Sequence, residues 1–315
     1  MKRAATMMLA GVLSGTPLVA FADRAEEAVA WLQKMSQAVR NESYQGIFSY
    51  IRGSTFDTVK IVHAVQNGVE TERLINLNGD VRELYRQGTE IRCYHPTSSQ
   101  HSDEALADHT VQIGPFTSAF TERVLATQDN YHLAMHAEDR IAGRTAVVLT
   151  VSPRFNDRYG YRLWLDSETG LLLRSALVTH RGRILEELAY TDLTVPANVE
   201  DSSLERTLTG ADFVSHVSRW EPEVKAVAGE SSGWRVAWIP EGFQMRELVL
   251  AAPGSVSRRL EHLVFSDGLA SVSVFIESGG GGEPLVGHSA LGAVSAYGRR
   301  LRDHQVTVVG EVPPA

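Results

Sequence analysis

The chain has almost no cysteine, no excess of positive charge and one sustained apolar run, and each shortage excludes something. Cys93 stands alone, so no internal disulfide can form even in a compartment that would allow one. With no Cys-x-x-Cys and no helix start around it, Cys93 reads as a small buried hydrophobe on a strand rather than a reactive thiol. The apolar run, Ala4 to Val19, sits behind Lys2 and Arg3 and ahead of Ala20-Phe21-Ala22. A basic start, an uncharged stretch and small residues at both cleavage-determining positions describe a secretory leader. Gly11, Ser14, Gly15, Thr16 and Pro17 interrupt the run, and it falls short of the roughly 20 apolar residues that a membrane span needs. Residues 1–22 are therefore expected to be removed, leaving Asp23 as the mature N-terminus in the periplasm. No cysteine follows the cleavage site, which argues against an acylated lipoprotein, and no second long apolar run follows either.

Removing Lys2 and Arg3 from the 30 basic residues leaves 28 against 38 acidic ones, a net charge of −10. Nucleic acid and anionic membrane surfaces both reward clustered Lys and Arg, so neither is an expected partner. At 315 residues the chain is long enough for two cores.

Turn chemistry divides the sequence. A helix is expected from Asp23, where Asp23 and Glu26 form a capping box ahead of Ala28, Trp31, Leu32, Met35, Ala38 and Val39 at helical spacing. Strands follow over 46–52, 58–66, 69–77, 81–87 and 89–94, separated by Gly53, Asn67-Gly68, Asn78-Gly79-Asp80 and Gly88. Asn-Gly between alternating runs is a strong hairpin signal, because both central residues of a type I′ turn need positive φ. Residues 95–115 read as a polar loop and 116–126 as a short helix. Strands resume over 131–141, 144–152, 159–165, 171–180 and 183–191. Strands joined by short turns are neighbours in one sheet, so this half should be a single curved antiparallel sheet with helices against its hollow side. Pro196 to Gly233 is less periodic and holds the linker, with a short helix at 211–220 left open. A second β unit starts at Trp234. Its signals are the Trp238-Ile239-Pro240-Glu241-Gly242-Phe243 turn, the Asp267-Gly268 hairpin, the flexible Gly279 to Gly282 run, and last strands at 291–297 and 305–312.

Enzymatic tools are scarce. Gly287-His288-Ser289-Ala290-Leu291-Gly292 comes near a nucleophile elbow, but leucine stands where the closing glycine belongs. His132 and His136 have helical zinc spacing, yet the alternation around them says strand, which sets them about 13 Å apart. His95, His101, Asp103, Asp108 and His109 share one loop and could gather a metal, though polar loops more often do not. There is no phosphate-binding loop or dinucleotide fingerprint. No catalytic residue, cofactor or metal ligand is assigned, and a non-enzymatic binding role is expected.

Several stretches together resemble one family. Trp31-Leu32 with Asn41-Glu42-Ser43-Tyr44-Gln45-Gly46-Ile47-Phe48 is similar to its opening. Arg140-Ile141-Ala142-Gly143-Arg144, Arg158-Tyr159-Gly160-Tyr161, Leu165-Asp166 and Thr169-Gly170-Leu171-Leu172 resemble its middle. Trp238 to Phe243, Ser266-Asp267-Gly268-Leu269, Ser273 to Glu277 and Val306 to Pro313 resemble its C-terminal part. Each motif is modest alone, but their order and spacing are specific. The family is the sigma-E factor regulatory proteins RseB and MucB, and the likeness runs over essentially the whole mature chain.

The resemblance implies a mainly β (α+β) fold: an unclosed antiparallel β-barrel covered by helices, LolA/LolB-like, over 23–200, a linker over 201–232, and a smaller C-terminal β domain over 233–315. It implies a periplasmic negative regulator of an envelope stress sigma factor. Such a protein binds the periplasmic domain of an RseA/MucA-type anti-sigma factor, protects it from site-1 proteolysis, and is released by lipid or lipopolysaccharide. A homodimer is left open, and a lipid or lipoprotein carrier is the alternative. Inward strand residues Ile47, Ile61, Leu74, Leu84, Leu149, Leu163, Leu172 and Leu188 are the candidate lipid-groove lining, although such positions are more often ordinary core. Trp238, Phe243, Phe265, Phe275 and Ile276 are the candidate partner surface, although half of any alternating strand faces its own core.

Overall fold

The computed structural model describes residues 18–79, 81–88, 90–96, 118–127, 129–208, 213–219, 233–251, 260–278 and 285–314. Most of the expected leader, the loop histidines and aspartates His101, Asp103, Asp108 and His109, and the Gly279 to Gly282 run lie outside these residues.

Helix α1 (Leu18–Asn41) buries Ala28, Leu32, Met35, Ala38 and Val39. These residues recur every three or four positions, so one stripe of the helix meets the sheet while Arg24, Glu26, Glu27 and Arg40 are exposed. The chain is already helical at Leu18, so Asp23 lies inside the helix and not at its cap.

The strands that follow are β1 (Tyr44–Arg52), β2 (Thr55–Gln66), β3 (Val69–Asn76), β4 (Glu83–Gln87) and β5 (Glu90–Pro96). After α2 (Ser118–Ala126) come β6 (Tyr131–Met135), β7 (Asp139–Ile141), β8 (Arg144–Pro153), β9 (Gly160–Asp166), β10 (Leu172–Val178) and β11 (Ile184–Thr194). The short α3 (Asp201–Leu204) and β12 (Phe213–Arg219) complete the unit. They form a 12-stranded sheet in the order β12-β5-β4-β3-β2-β1-β11-β10-β9-β8-β6, with β7 also paired to β8. Two meanders therefore meet where β1 pairs antiparallel with β11, from Gln45↔Thr194 to Arg52↔Glu186. The outer strands β12 and β6 do not pair with each other, so the barrel is unclosed, as expected. Asn67 and Gly68 have φ of 53° and 77°, the left-handed pair that the hairpin between β2 and β3 requires.

The second unit is a six-stranded antiparallel sheet of β13 (Gln244–Ala251), β14 (Leu260–Ser266), β15 (Ser271–Ser278), β16 (Gly287–Leu291), β17 (Val294–Leu301) and β18 (His304–Gly310). Its order is β13-β14-β15-β18-β17-β16. Its core is Phe243, Leu263, Phe265, Ala270 and Ile276, with Trp234, Val272, Val274, Val306 and Val312 packed against it.

Three elements differ from the sequence reading. The expected strand 131–141 is two, β6 and β7, because the chain leaves the β8 edge between Met135 and Asp139. The expected strand 291–297 holds a hairpin turn at Gly292-Ala293, with Gly292 at φ 60° and Leu291 paired to Val294. The near-elbow glycines thus bracket strand β16. The stretch expected as linker, with a helix left open, carries β12, which pairs with β5 from Phe213↔Pro96 to Arg219↔Glu90. Phe213, Val214 and Val217 are strand-favouring residues, but they do not alternate with polar ones, and the acidic and Ser-rich flanks obscured the strand.

Candidate functional site

The hollow side of the large sheet is filled by its helices. Leu32 and Met35 of α1 and Phe120 and Val124 of α2 pack on Tyr131, Leu149, Val151, Leu163, Leu165 and Leu172. Thr121 donates its hydroxyl to the Leu32 carbonyl at 3.0 Å, which ties α2 to α1. Lys34 donates to the Ser167 carbonyl at 3.0 Å and lies over the Trp31 ring, which ties α1 to the turn between β9 and β10. That turn is itself rigid. Arg144 donates to both Asp166 oxygens, at 2.8 and 3.0 Å, and Thr169 donates from backbone and hydroxyl. Burial works against ionisation of Asp166, but these donors outweigh it and hold the carboxyl below its ordinary range.

A second cluster joins Ala38 and Val39 to Tyr44, Phe48, Val59, Ile61, Leu74, Leu84, Leu188 and Tyr190. Seven of the candidate groove residues thus lie on the hollow face, in two groups: Leu149, Leu163 and Leu172 under both helices, and Ile61, Leu74, Leu84 and Leu188 beyond the end of α1. Ile47 stands apart. It pairs with the exposed Lys60 and Asp192 on the outer face, because Tyr44, Gly46 and Phe48 take the inner positions of β1.

The five C-terminal candidates also divide. Phe265 and Ile276 are core, Phe243 is buried where the two domains meet, and Phe275 stacks on His262 with ring centroids 4.2 Å apart. Trp238, 74% exposed, is the most accessible of the five, and Phe275 is half-buried.

Two buried arginines to which the sequence assigned no role organise the molecule. Arg73 on β3 pairs with Glu83 on β4 across the outer face, and both are nearly inaccessible. Arg73 also donates to the Ser203 carbonyl at 2.9 Å and the Thr207 hydroxyl at 2.8 Å. Glu83 accepts from the Thr207 and Leu208 amides, each at 3.1 Å. The pair clasps residues 203–208 onto the sheet.

Arg158, in the loop before β9, is fully buried between the domains. Its Nη1 donates to Asp267 Oδ2 at 2.6 Å and its Nη2 to the Glu241 carbonyl at 2.6 Å, both in the C-terminal unit. Its Nε donates to Asp157 at 2.7 Å. The guanidinium also lies 4.8 Å from the centre of the Phe243 ring. Tyr131 donates to the same Asp267 oxygen at 3.0 Å. Burial, then the neighbouring Asp267 charge, pushes the Tyr131 phenol well above its ordinary value. Asp267 Oδ1 meanwhile accepts from the Leu269 and Ala270 amides, at 2.9 and 2.8 Å, which shapes its own hairpin. One carboxylate oxygen builds the turn and the other reaches across. Asp267-Gly268 was visible as a turn, and Arg158 as part of a motif, but they stand 109 residues apart and nothing local links them.

Beside this joint is a shallow cleft lined by Tyr131, Tyr159, Tyr161, Leu177, Leu269, Ala270 and Glu311, with an enclosed volume of about 10 Å³. That is room for about one water, far below the ~300–1,000 Å³ usual for ligand pockets. A second interdomain contact lies at the far side of the joint. Ala293 is fully buried with Tyr159 and Leu177, and its amide donates to Glu186 at 3.3 Å. His132 lies on β6 and His136 just beyond its end, and His95 is buried on β5. Among the described residues no three His, Cys, Asp or Glu side chains gather as a metal site would require.

Comparison with known proteins fits both units. The MucB/RseB N-terminal domain matches residues 27–208 and the MucB/RseB C-terminal domain matches residues 228–315. The sigma factor AlgU regulatory protein MucB of Pseudomonas aeruginosa is 34% identical over 318 residues, covering 99% of this chain and 94% of that protein. A Pseudomonas aeruginosa MucA/MucB complex superposes with a TM-score of 0.68 at 32% identity, and a MucB crystal structure with 0.59 at 31% identity; each covers 91% of this chain and 94% of the other. The named relatives are regulatory proteins and not enzymes. With both domains matched in order and a third of the residues identical over nearly the full length, the chain belongs to the MucB/RseB family.

Proposed function

We propose that this chain is a periplasmic negative regulator of an envelope stress sigma factor, acting by binding the periplasmic segment of a MucA-type anti-sigma factor. The observation that carries the reading is the near-complete match to MucB, extending through both domains. While bound, the chain shields the anti-sigma segment from site-1 proteolysis, so the sigma factor stays captive in the cytoplasm. A leader over residues 1–22 puts the mature chain in the periplasm.

Release follows from linkage. A lipid or lipopolysaccharide acyl chain lowers affinity for the anti-sigma segment only if it binds the free conformation better than the bound one, and the effect is reciprocal. A tenfold shift needs about 1.4 kcal/mol, which two acyl CH₂ groups buried in one state alone would supply at about 0.8 kcal/mol each. Such a chain has two places to go. It can displace α1 and α2 from Leu149, Leu163 and Leu172, or widen the cleft beside Tyr131 and Tyr161.

The test is calorimetric titration of the mature chain with the periplasmic domain of its cognate anti-sigma factor, with and without lipopolysaccharide fragments, alongside a protease-protection assay. Binding that protects the segment and weakens with lipid supports the proposal. Absence of any complex refutes it.

A further inference from the structure

The contact between the domains includes a buried ion pair, Arg158 with Asp267. The Arg158 guanidinium has three hydrogen-bonding nitrogens, and two of their acceptors belong to the C-terminal unit. Asp267 Oδ2 accepts two donors, both from the N-terminal unit. If the domains parted, Arg158 would keep Asp157 alone, and Asp267 would keep only the amides of its own hairpin. Such a contact has a short reach and strict geometry, so it is either made or broken and does not stretch. The packing around it is equally close. A Cβ on Gly268 would lie 2.5 Å from the Thr127 Cγ2.

With identity and coverage nearly equal, this chain superposes better on MucB in the MucA complex than on the other MucB structure, so those two differ from each other in conformation.

We propose that Arg158, Asp267 and Tyr131 form a latch that holds the two domains in the arrangement that accepts the anti-sigma segment, and that opening it releases the partner. The proposal rests on the function proposed above and specifies how that function is controlled. The cleft adjoins the latch directly, because Tyr131, which donates to Asp267, and Leu269 and Ala270, the residues that follow the Asp267-Gly268 turn, all line it. Anything that widens the cleft pulls on the Asp267 contact.

Asp267→Asn separates the latch from the hairpin. The asparagine carbonyl still accepts the Leu269 and Ala270 amides, while its NH₂ faces the donors of Arg158 and Tyr131. Small-angle X-ray scattering of the free mature chain should show a larger radius of gyration for D267N than for wild type, and calorimetry should show affinity for the anti-sigma domain weakened about tenfold or more. Tyr131→Phe removes one donor without stranding a charge, so it keeps the test decisive if D267N fails to fold, and it should move both readouts the same way by a smaller factor, about threefold in affinity. Unchanged scattering and affinity in both variants would overturn the latch. So would an expanded D267N that binds as tightly as wild type. Wild-type chain that binds no anti-sigma domain would overturn the proposed function itself, and the latch's role in it, independently of the variants.

Discussion

The molecule uses the same chemistry twice, in the Arg73–Glu83 clasp and the Arg158–Asp267 joint, and the contrast shows what a buried ion pair is for. Both arginines and both carboxylates are almost inaccessible. Taking two charges out of water costs several kcal/mol per ion, so neither pair is expected to stabilise the protein much relative to well-packed apolar residues. What each supplies is geometry. Arg73 and Glu83 sit on adjacent strands whose register the β3–β4 ladder already fixes, so their remaining donors and acceptors are spent on residues 203–208. Arg158 and Asp267 have no ladder between them, so that pair fixes how two separately built domains meet. The clasp is part of a domain and the joint is a relation between domains.

The largest effect should follow from breaking the clasp. Glu83→Gln leaves Arg73 buried without its counter-charge and turns an amide NH₂ toward the Thr207 donors. Losing one member of a buried pair typically costs ~3–5 kcal/mol. Thermal or urea unfolding should show that loss in the N-terminal domain, and scattering should stay that of the compact wild type. Expansion of E83Q to match D267N would erase the distinction, because the clasp would then also be setting the domain arrangement.

A smaller effect, about 2 kcal/mol, is expected for Gly268→Ala, which strains the joint from its apolar side. Gly268 has φ of 101°, where an L residue is held at a cost of about 1–3 kcal/mol, and its new methyl meets Thr127. Adding Thr127→Ser removes the opposing methyl and keeps the hydroxyl that donates to the Arg123 and Val124 carbonyls. If the clash matters, the double variant should recover part of the loss in urea unfolding. Equal stability of single and double variants would assign the whole cost to the turn and none to docking.

Much of this architecture was legible because it is local. Asn67-Gly68 and Asp267-Gly268 mark hairpins by their need for positive φ, and the apolar runs Ala146 to Leu149 and Leu163 to Leu165 mark strands buried on both faces. The joint was not legible, since Arg158 and Asp267 are polar residues in two separate turns. Their partnership arises only when a meander of one sheet presents its loop to a hairpin of the other. The hairpin at Gly292-Ala293 was missed for a related reason. Ala293 is fully buried against Tyr159 and Leu177, so the turn lacks the polar punctuation of an exposed one. Among the partner candidates, period two separates Phe275 from Ile276 but does not say which face the second sheet covers. Burial in this fold assigns Ile276 to the core and leaves Phe275 on His262.

The smallest expected effect is one of pH, and it belongs to the first domain. His63 is buried on β2, its Nδ1 2.9 Å from the Glu42 carbonyl and its ring stacked on Tyr44 with centroids 4.7 Å apart. Burial lowers its pKa below the ordinary 6.5, with Glu72 and Glu70 pulling partly the other way and Arg86 adding to the shift. A depressed folded-state value means that the unfolded chain takes up the proton first as pH falls. The contribution is therefore fully present above about pH 6.5 and declines below it, by at most about 1.4 kcal/mol per pH unit for one proton. His63→Asn, which can still donate to Glu42, should lose that slope between pH 6.5 and 5.5 in urea unfolding, and an unchanged slope would exclude His63 as its source. The same variant sharpens the comparison of the two regions. A pH dependence of anti-sigma affinity that persists in H63N must come from outside this part of the first domain, and the joint would then be the place to look.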